Sequence, residues 1–308
     1  MLSGYQNHIS LPHQEEWEVY HNSFSLCSKK LRVCMAELAL PYRGHHIDLI
    51  ETGSYENVGR DYLAINPAGL LPVLLHNGHP IYESHEEIIY AARHAGVRGT
   101  QLMPEDPAAR AEVERWVDCA SLVGNDPTKG TRERAGHCIP GLTVPIFAAM
   151  VTRIPVREIL KGLLTHPNKE RPIVFLMLKF AGLHRLPKIG KAMSLLTQSR
   201  KNMGHHLDAL GAQLDKHGGP YITGESFTLA DVSWMVILDR LVEVDWETTF
   251  WGAGLRPSVA AYWKRLVARD SYRDEILAKR CPMTLQGIAT VKRAKGSDAK
   301  LKAALEGH

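Results

Sequence analysis

Short clusters of apolar positions mark the first third of the chain, and helical spacing dominates the remainder. After a polar extension over 1–16, WEVYH at 17–21 reads as a strand. In SKKLRVCMAELAL, 28–40, Leu31, Met35, Leu38 and Ala39 recur at helical spacing, with Cys34 near the same stripe. RGHHIDLI, 43–50, is a second strand, and one helix between two strands suggests a βαβ unit. PVLLH and HPIY flank Asn77-Gly78, a strong signal for a tight hairpin. Ser84, followed by Glu87 and then Ile88 and Ile89, predicts a capping box that opens a helix to about His94. The order βαβ then ββα implies one small mixed sheet with helices packed on it, over 17–95.

A loop over 96–107 precedes a change of character. From Ala108 onward no convincing strand alternation remains, and helical patterns cover roughly 108–123, 142–164, 172–217, 229–242 and 257–280. An all-helical second domain over 108–285 follows, with 124–195 its least readable part. In SFTLADVSW, Thr228 and Asp231 fit the two positions of a structural helix cap, and Phe227 and Val232 fit its hydrophobic staple. The basic segment 286–308 reads as a solvated or loosely helical tail, with a partner or membrane-surface contact as the alternative.

Composition changes this picture little. Hydrophobic residues form 44% of the 308 and charged residues 23%, an ordinary balance for a soluble globular protein. Thirty-seven Lys and Arg against 33 Asp and Glu give a net charge of +4, with no long basic stripe before the last twenty residues, which argues against nucleic acid. Cys27, Cys34, Cys119, Cys138 and Cys281 are odd in number and widely spaced, so a reduced, cytoplasmic protein is expected. The start lacks the pattern of a signal peptide. The apolar run from Pro172 is broken by Lys179 and too short to span a bilayer, so no stable membrane insertion is expected. The pairs His45-His46 and His205-His206 lack the geometry and companions of a metal site, so no metal is expected.

Candidate chemistry gathers at three places. Ser25 and Cys27 stand at the start of the first helix, whose amides favour a thiolate belonging either to Cys27 or to a ligand; inert turn residues are the alternative. Of Lys29, Lys30 and Arg32, at least two are expected on a solvated face. Leu71-Pro72 enters a strand at an edge or in special geometry, with a cis bond and an ordinary trans turn both open. At Glu83-Ser84, a bound carboxylate at the helix start and a ligand ammonium on Glu83 compete with a plain cap.

The segments YHNSFSLCSKKLRVCMAELALPY, INPAGLLPVLLHNGHPIYES and GPYITGESFTLADVSW, in this order, resemble the glutathione transferase superfamily. The resemblance implies a thioredoxin-like α/β domain followed by an all-α domain, with glutathione as co-substrate. It implies that Leu71, before a cis Pro72, bonds the cysteinyl part of glutathione, and that Glu83 and Ser84 receive its γ-glutamyl end. Asp231 matches the family's helix-capping aspartate. Ser25 falls at the activating serine. SLCSKKLR is also similar to the S-x-C-S-x-K-x-R arrangement of glutathione-dependent reductive dehalogenases, in which the residue matching Cys27 forms a mixed disulfide. Trp116, Cys119 and Val123 are expected to line the pocket for a small hydrophobic or aromatic electrophile, and a homodimer is expected. A non-enzymatic binding module of the same fold is the remaining alternative.

Overall fold

The computed structural model describes residues 2–124, 126, 128–166 and 169–307. Four positions of the 124–195 region therefore lie outside the described residues. Strands β1 (Gly4–Tyr5), β2 (Trp17–His21), β3 (Arg43–His46), β4 (Val73–His76) and β5 (His79–Tyr82) form one sheet in the order β1-β5-β4-β2-β3. β2 and β3 run parallel, with Glu18 opposite Arg43 and His21 opposite His46, and helix α1 (Leu26–Glu37) makes the crossover. β4 is antiparallel to β2 and β5. Asn77 and Gly78 both take positive φ, 51° and 80°, as a two-residue hairpin turn of this hand requires. Helices α2 (Arg60–Ile65) and α3 (Ser84–Arg93) complete a thioredoxin-like unit.

The all-helical unit follows. Its helices are α4 (Gly96–Leu102), α5 (Pro107–Cys119), α6 (Ile139–Val151), α7 (Val156–Thr165), α8 (Glu170–Arg185) and α9 (Gly190–His217). Beyond them come α10 (Leu229–Glu243), α11 (Glu247–Phe250), α12 (Pro257–Val267), α13 (Asp270–Tyr272), α14 (Pro282–Ser297) and α15 (Ala299–Glu306). The long pattern at 142–164 divides at Pro155, which caps α7, and that at 172–217 divides near Gly182, at φ 62°. Among these helices α10 lies deepest: it packs on α1, α5, α6 and α12, so nearly its whole circumference is apolar or buried. One core of buried apolar side chains runs through both units.

Three expectations need correction. The polar extension is not free, because β1 adds an edge strand to β5 and the Tyr5 ring stacks on Tyr90 at 5.0 Å. The interval 96–107 contains α4, so it is not a plain loop. The basic tail is helical, with Lys292, Arg293, Lys300 and Lys302 exposed, but it is docked rather than loose. It folds as α14 and α15, and Val291, Leu301 and Leu305 are buried. Lys295 there is also buried, and pairs with Asp245 at 2.9 Å and Glu306 at 2.7 Å. The tail's apolar residues cover α6, and its lysine finds two carboxylates.

Candidate active site

Asn22 shapes the turn that carries Ser25. Fully buried at the end of β2, it donates to the Ile47 carbonyl and to Thr52 Oγ1, both at 2.9 Å. Its own Oδ1 accepts the amides of Phe24 at 2.9 Å and Ser25 at 3.2 Å. Ser25 is thereby presented as the N-cap of α1, where its hydroxyl oxygen accepts the Ser28 amide at 3.2 Å. That oxygen satisfies one free donor of the helix end and leaves the hydroxyl proton available. The Leu26 and Cys27 amides take no partner among the described residues. They stand with the Ser25 hydroxyl at the positive end of the α1 dipole.

Cys27 occupies the first turn of α1 and is half-buried. The start of α3 comes close to it, and Ser84 is among the groups that act on its thiol. Burial pushes the Cys27 thiol up from its ordinary value, while the Lys30 ammonium and the Ser84 hydroxyl pull the other way. Lys30 is itself buried, with its Nζ 3.3 Å from Ser121 Oγ after α5. Burial lowers the Lys30 ammonium, opposed by Cys27, Glu87 and Glu83. Glu87 is fully buried and neither carboxylate oxygen has a hydrogen-bond partner within the described residues, so burial drives its pKa well up. Burial likewise raises Glu83, against the pull of Lys30. The start of α1 and the start of α3 thus form one buried polar cluster around a thiol.

Two expectations fail here for one reason. Lys29, Lys30 and Arg32 have no solvated face, since all are buried. α1 lies between α3 on one side and α10 on the other, so each basic head meets protein. Lys29 Nζ lies 2.7 Å from both Asp239 and Glu243 of α10. Arg32 donates to the Asn22 carbonyl at 3.0 Å and the Glu275 carbonyl at 2.9 Å. Ser84 is not the N-cap of α3 either: Glu83 holds that place at φ 73°, and no side chain caps the helix. The capping box from Ser84 to Glu87 is therefore absent, because the serine faces Cys27 and Glu87 turns inward.

Leu71-Pro72 is cis. Asn66 orders its approach, donating to the Leu70 carbonyl at 2.9 Å and accepting the Ala68 amide at 3.0 Å; the Tyr62 hydroxyl also donates to that carbonyl, at 2.6 Å. Tyr20 pairs with Val73, so Leu71 stands beside the chain leaving β2. No described residue bonds the Leu71 amide or carbonyl.

The residues expected to line a pocket from one helix separate, and Val123 lies beyond the end of α5. Trp116 is buried edge-on against Trp234, with ring centroids 5.6 Å apart, and is a core residue because this face of α5 meets α10. Cys119 Sγ lies 3.9 Å from His206 Nδ1, and the Val123 amide donates to His137 Nε2 at 3.3 Å. Farther off, Thr228 and Asp231 make the reciprocal cap at α10. Asp231 accepts the Thr228 amide at 2.8 Å, the Ile222 amide at 3.1 Å and the Tyr262 hydroxyl at 2.8 Å. Residues that sequence reasoning passed over are Asn22 and Ser121, while Glu87 was read only as a helix cap. A usable signal was present: Cys27 and Lys30, like Ser84 and Glu87, are three apart on a helix and share a face.

Comparison with known proteins identifies the family and the fold. Residues 24–94 match the glutathione S-transferase N-terminal domain, and residues 194–265 match its C-terminal domain. The chain belongs to the glutathione transferase superfamily. It is 26% identical over 262 residues to the tetrachloro-p-hydroquinone reductive dehalogenase of Sphingobium chlorophenolicum, across 83% of this chain and 94% of that protein. It is 24% identical to glutathione S-transferase TCHQD of Arabidopsis thaliana, across 84% of this chain and 89% of the other. Beta-etherase LigF from Sphingobium sp. strain SYK-6 shares the fold, with a TM-score of 0.66 at 20% identity over 85% of this chain and 98% of LigF.

Proposed function

We propose that the protein is a glutathione transferase that converts bound glutathione to its thiolate at the start of α1 and directs it onto a small hydrophobic or aromatic electrophile. The observation that carries this reading is the meeting of donors at one helix end: the Ser25 hydroxyl and the free Leu26 and Cys27 amides, with the unpaired Leu71 backbone alongside. The tripeptide suits these groups. Leu71 pairs with its cysteinyl backbone, and Glu83 and Ser84 take its γ-glutamyl ammonium and carboxylate. Ser25 donates to the sulfur without becoming charged. A free thiol titrates near about 8.5, so only a few per cent is thiolate at pH 7. A hydroxyl donor and a helix end stabilise the anion, and positioning against the electrophile supplies the rest of the rate.

The functional division follows the elements: 17–95 holds glutathione, 96–107 connects, and 108–285 supplies the apolar side, with Ser121 to Val123 at its border. The active form is a homodimer. Ser25→Ala tests the reading. Turnover of glutathione with a generic aromatic electrophile falls by about a hundredfold, as for loss of a charge-assisted hydrogen bond of about 3 kcal/mol. Unchanged turnover removes Ser25 from the chemistry.

A second reading rests on the Ser84 hydroxyl and Lys30 ammonium beside the Cys27 sulfur. As a thiolate, Cys27 attacks the sulfur of a glutathionyl conjugate, and the carbon–sulfur bond breaks. The carbon keeps the electron pair and takes a proton. The Cys27–glutathione mixed disulfide is then opened by a second glutathione thiolate, which leaves as glutathione disulfide. Cys27→Ala abolishes this reductive product while conjugation persists. Mass spectrometry of products from a glutathionyl arene decides between the two.

A further inference from the structure

Helices α7 and α8 pack against each other, yet each keeps an apolar stripe in solvent. On α7, Val156, Leu160 and Leu164 recur every fourth residue, and Leu164 is 84% exposed. On α8, Ile173, Met177 and Phe180 follow the same helical spacing, and Phe180 is 70% exposed. Scattered exposed apolar residues are ordinary, but two parallel stripes on neighbouring helices mark a surface that something covers.

Charge identifies the cover. From Arg153 to Lys191 there are nine Lys and Arg against Glu158 and Glu170, a net of +7. The whole chain is only +4, so everything outside this segment sums to −3. Arg157, Lys161, Lys169, Arg185, Lys188 and Lys191 are all exposed around the stripes. A second copy of the same face would bring two strongly positive surfaces together. An anionic lipid surface instead attracts the basic rim and accepts Leu, Ile, Met and Phe among its acyl chains; this is the composition of helices that lie in a bilayer interface. No described helix is long and apolar enough to cross a membrane, which leaves lying on it as the mode of contact.

We propose that the α7–α8 hairpin docks the protein on anionic membranes, with the Leu164 and Phe180 stripes immersed and the basic rim at the headgroups. The hairpin sits over the loop after β3. Arg171 of α8 reaches Glu51 at 2.5 Å, and the Tyr55 ring stands 5.7 Å from that of His166. Docking therefore holds the lipid close to the glutathione-binding unit, where an apolar electrophile dissolved in the membrane is within reach.

The test is co-sedimentation of the full chain with vesicles of phosphatidylcholine alone or mixed with phosphatidylglycerol, at low and high salt, with oligomeric state followed by light scattering. The wild type is expected on the mixed vesicles, weakening with salt. The exposed double variant L164D/F180D is expected to bind about tenfold more weakly or less, with its unfolding transition unchanged. Failure to bind mixed vesicles at low salt overturns the proposal. So does undiminished binding by the variant, or an oligomer that the variant alone dissociates, which would assign the face to a second copy.

Discussion

At Cys27 the sulfur is contested by two effects of opposite sign. Burial favours the neutral thiol, and the Lys30 ammonium with the Ser84 hydroxyl favours the thiolate. Replacing Lys30 with Met removes the first-named of the groups that oppose burial and leaves the Ser84 hydroxyl alone against it. The Cys27 thiol in that variant should alkylate more slowly at neutral pH, with its titration moved to higher pH, as followed by iodoacetamide labelling and peptide mass spectrometry. Asn22 acts on Ser25 through the turn rather than through the ligand. Asn22→Ala leaves two amides and the Ile47 carbonyl unpaired, and should cost about 1–3 kcal/mol in urea unfolding. It should also lower kcat more than it raises KM, since it displaces the serine and leaves the Leu71 and Glu83 contacts in place.

Among the elements, α1 carries both the fold and the site. Its basic residues hold the two units together: Lys29 lies between Asp239 and Glu243, and Arg280 completes the network from the other side. Lys29→Ala leaves two buried carboxylates to Arg280 and Arg240 and should cost about 3 kcal/mol, measured by chemical unfolding. Periodicity made the helix itself legible, through Leu31, Met35 and Leu38. It gave no hint that the opposite face is buried too, because a lysine paired across a domain boundary looks identical in sequence to one in water. The hairpin at Asn77-Gly78 was readable because two adjacent positive-φ positions demand those residues. Ser84 misled for the converse reason: a serine three before a glutamate satisfies the capping pattern, yet the tertiary contacts of Cys27 and the interior position of Glu87 decide where both side chains go.

For the whole molecule, the consequence of burial is a dependence of stability on pH. Burial, with Arg32 and His46 nearby, lowers His21 to about 3. His76, His85 and His206 move in the same direction, each chiefly through burial. An unfolded histidine binds its proton near about 6.5, so between that value and the folded one the unfolded state holds more protons. The histidine contribution to stability is therefore complete above about pH 6.5 and declines as pH falls below it. Urea midpoints should drop between neutral and mildly acidic pH, and His21→Gln should shallow that decline. The overall two-unit order was visible from strands giving way to helices. The docking of the tail was not, since α14 and α15 alternate basic and small residues and show their burial only against α6 and α9.

The account stands most directly on the titration of glutathione while bound. Thiolate absorbance of the complex, recorded across pH as a difference from the free protein in a Cys27→Ala background, reads that sulfur alone. The proposed site predicts a bound thiol titrating well below the free value of about 8.5, returning toward it when Ser25 is also replaced by Ala. A bound thiol that titrates like free glutathione, or whose titration ignores Ser25, would contradict it.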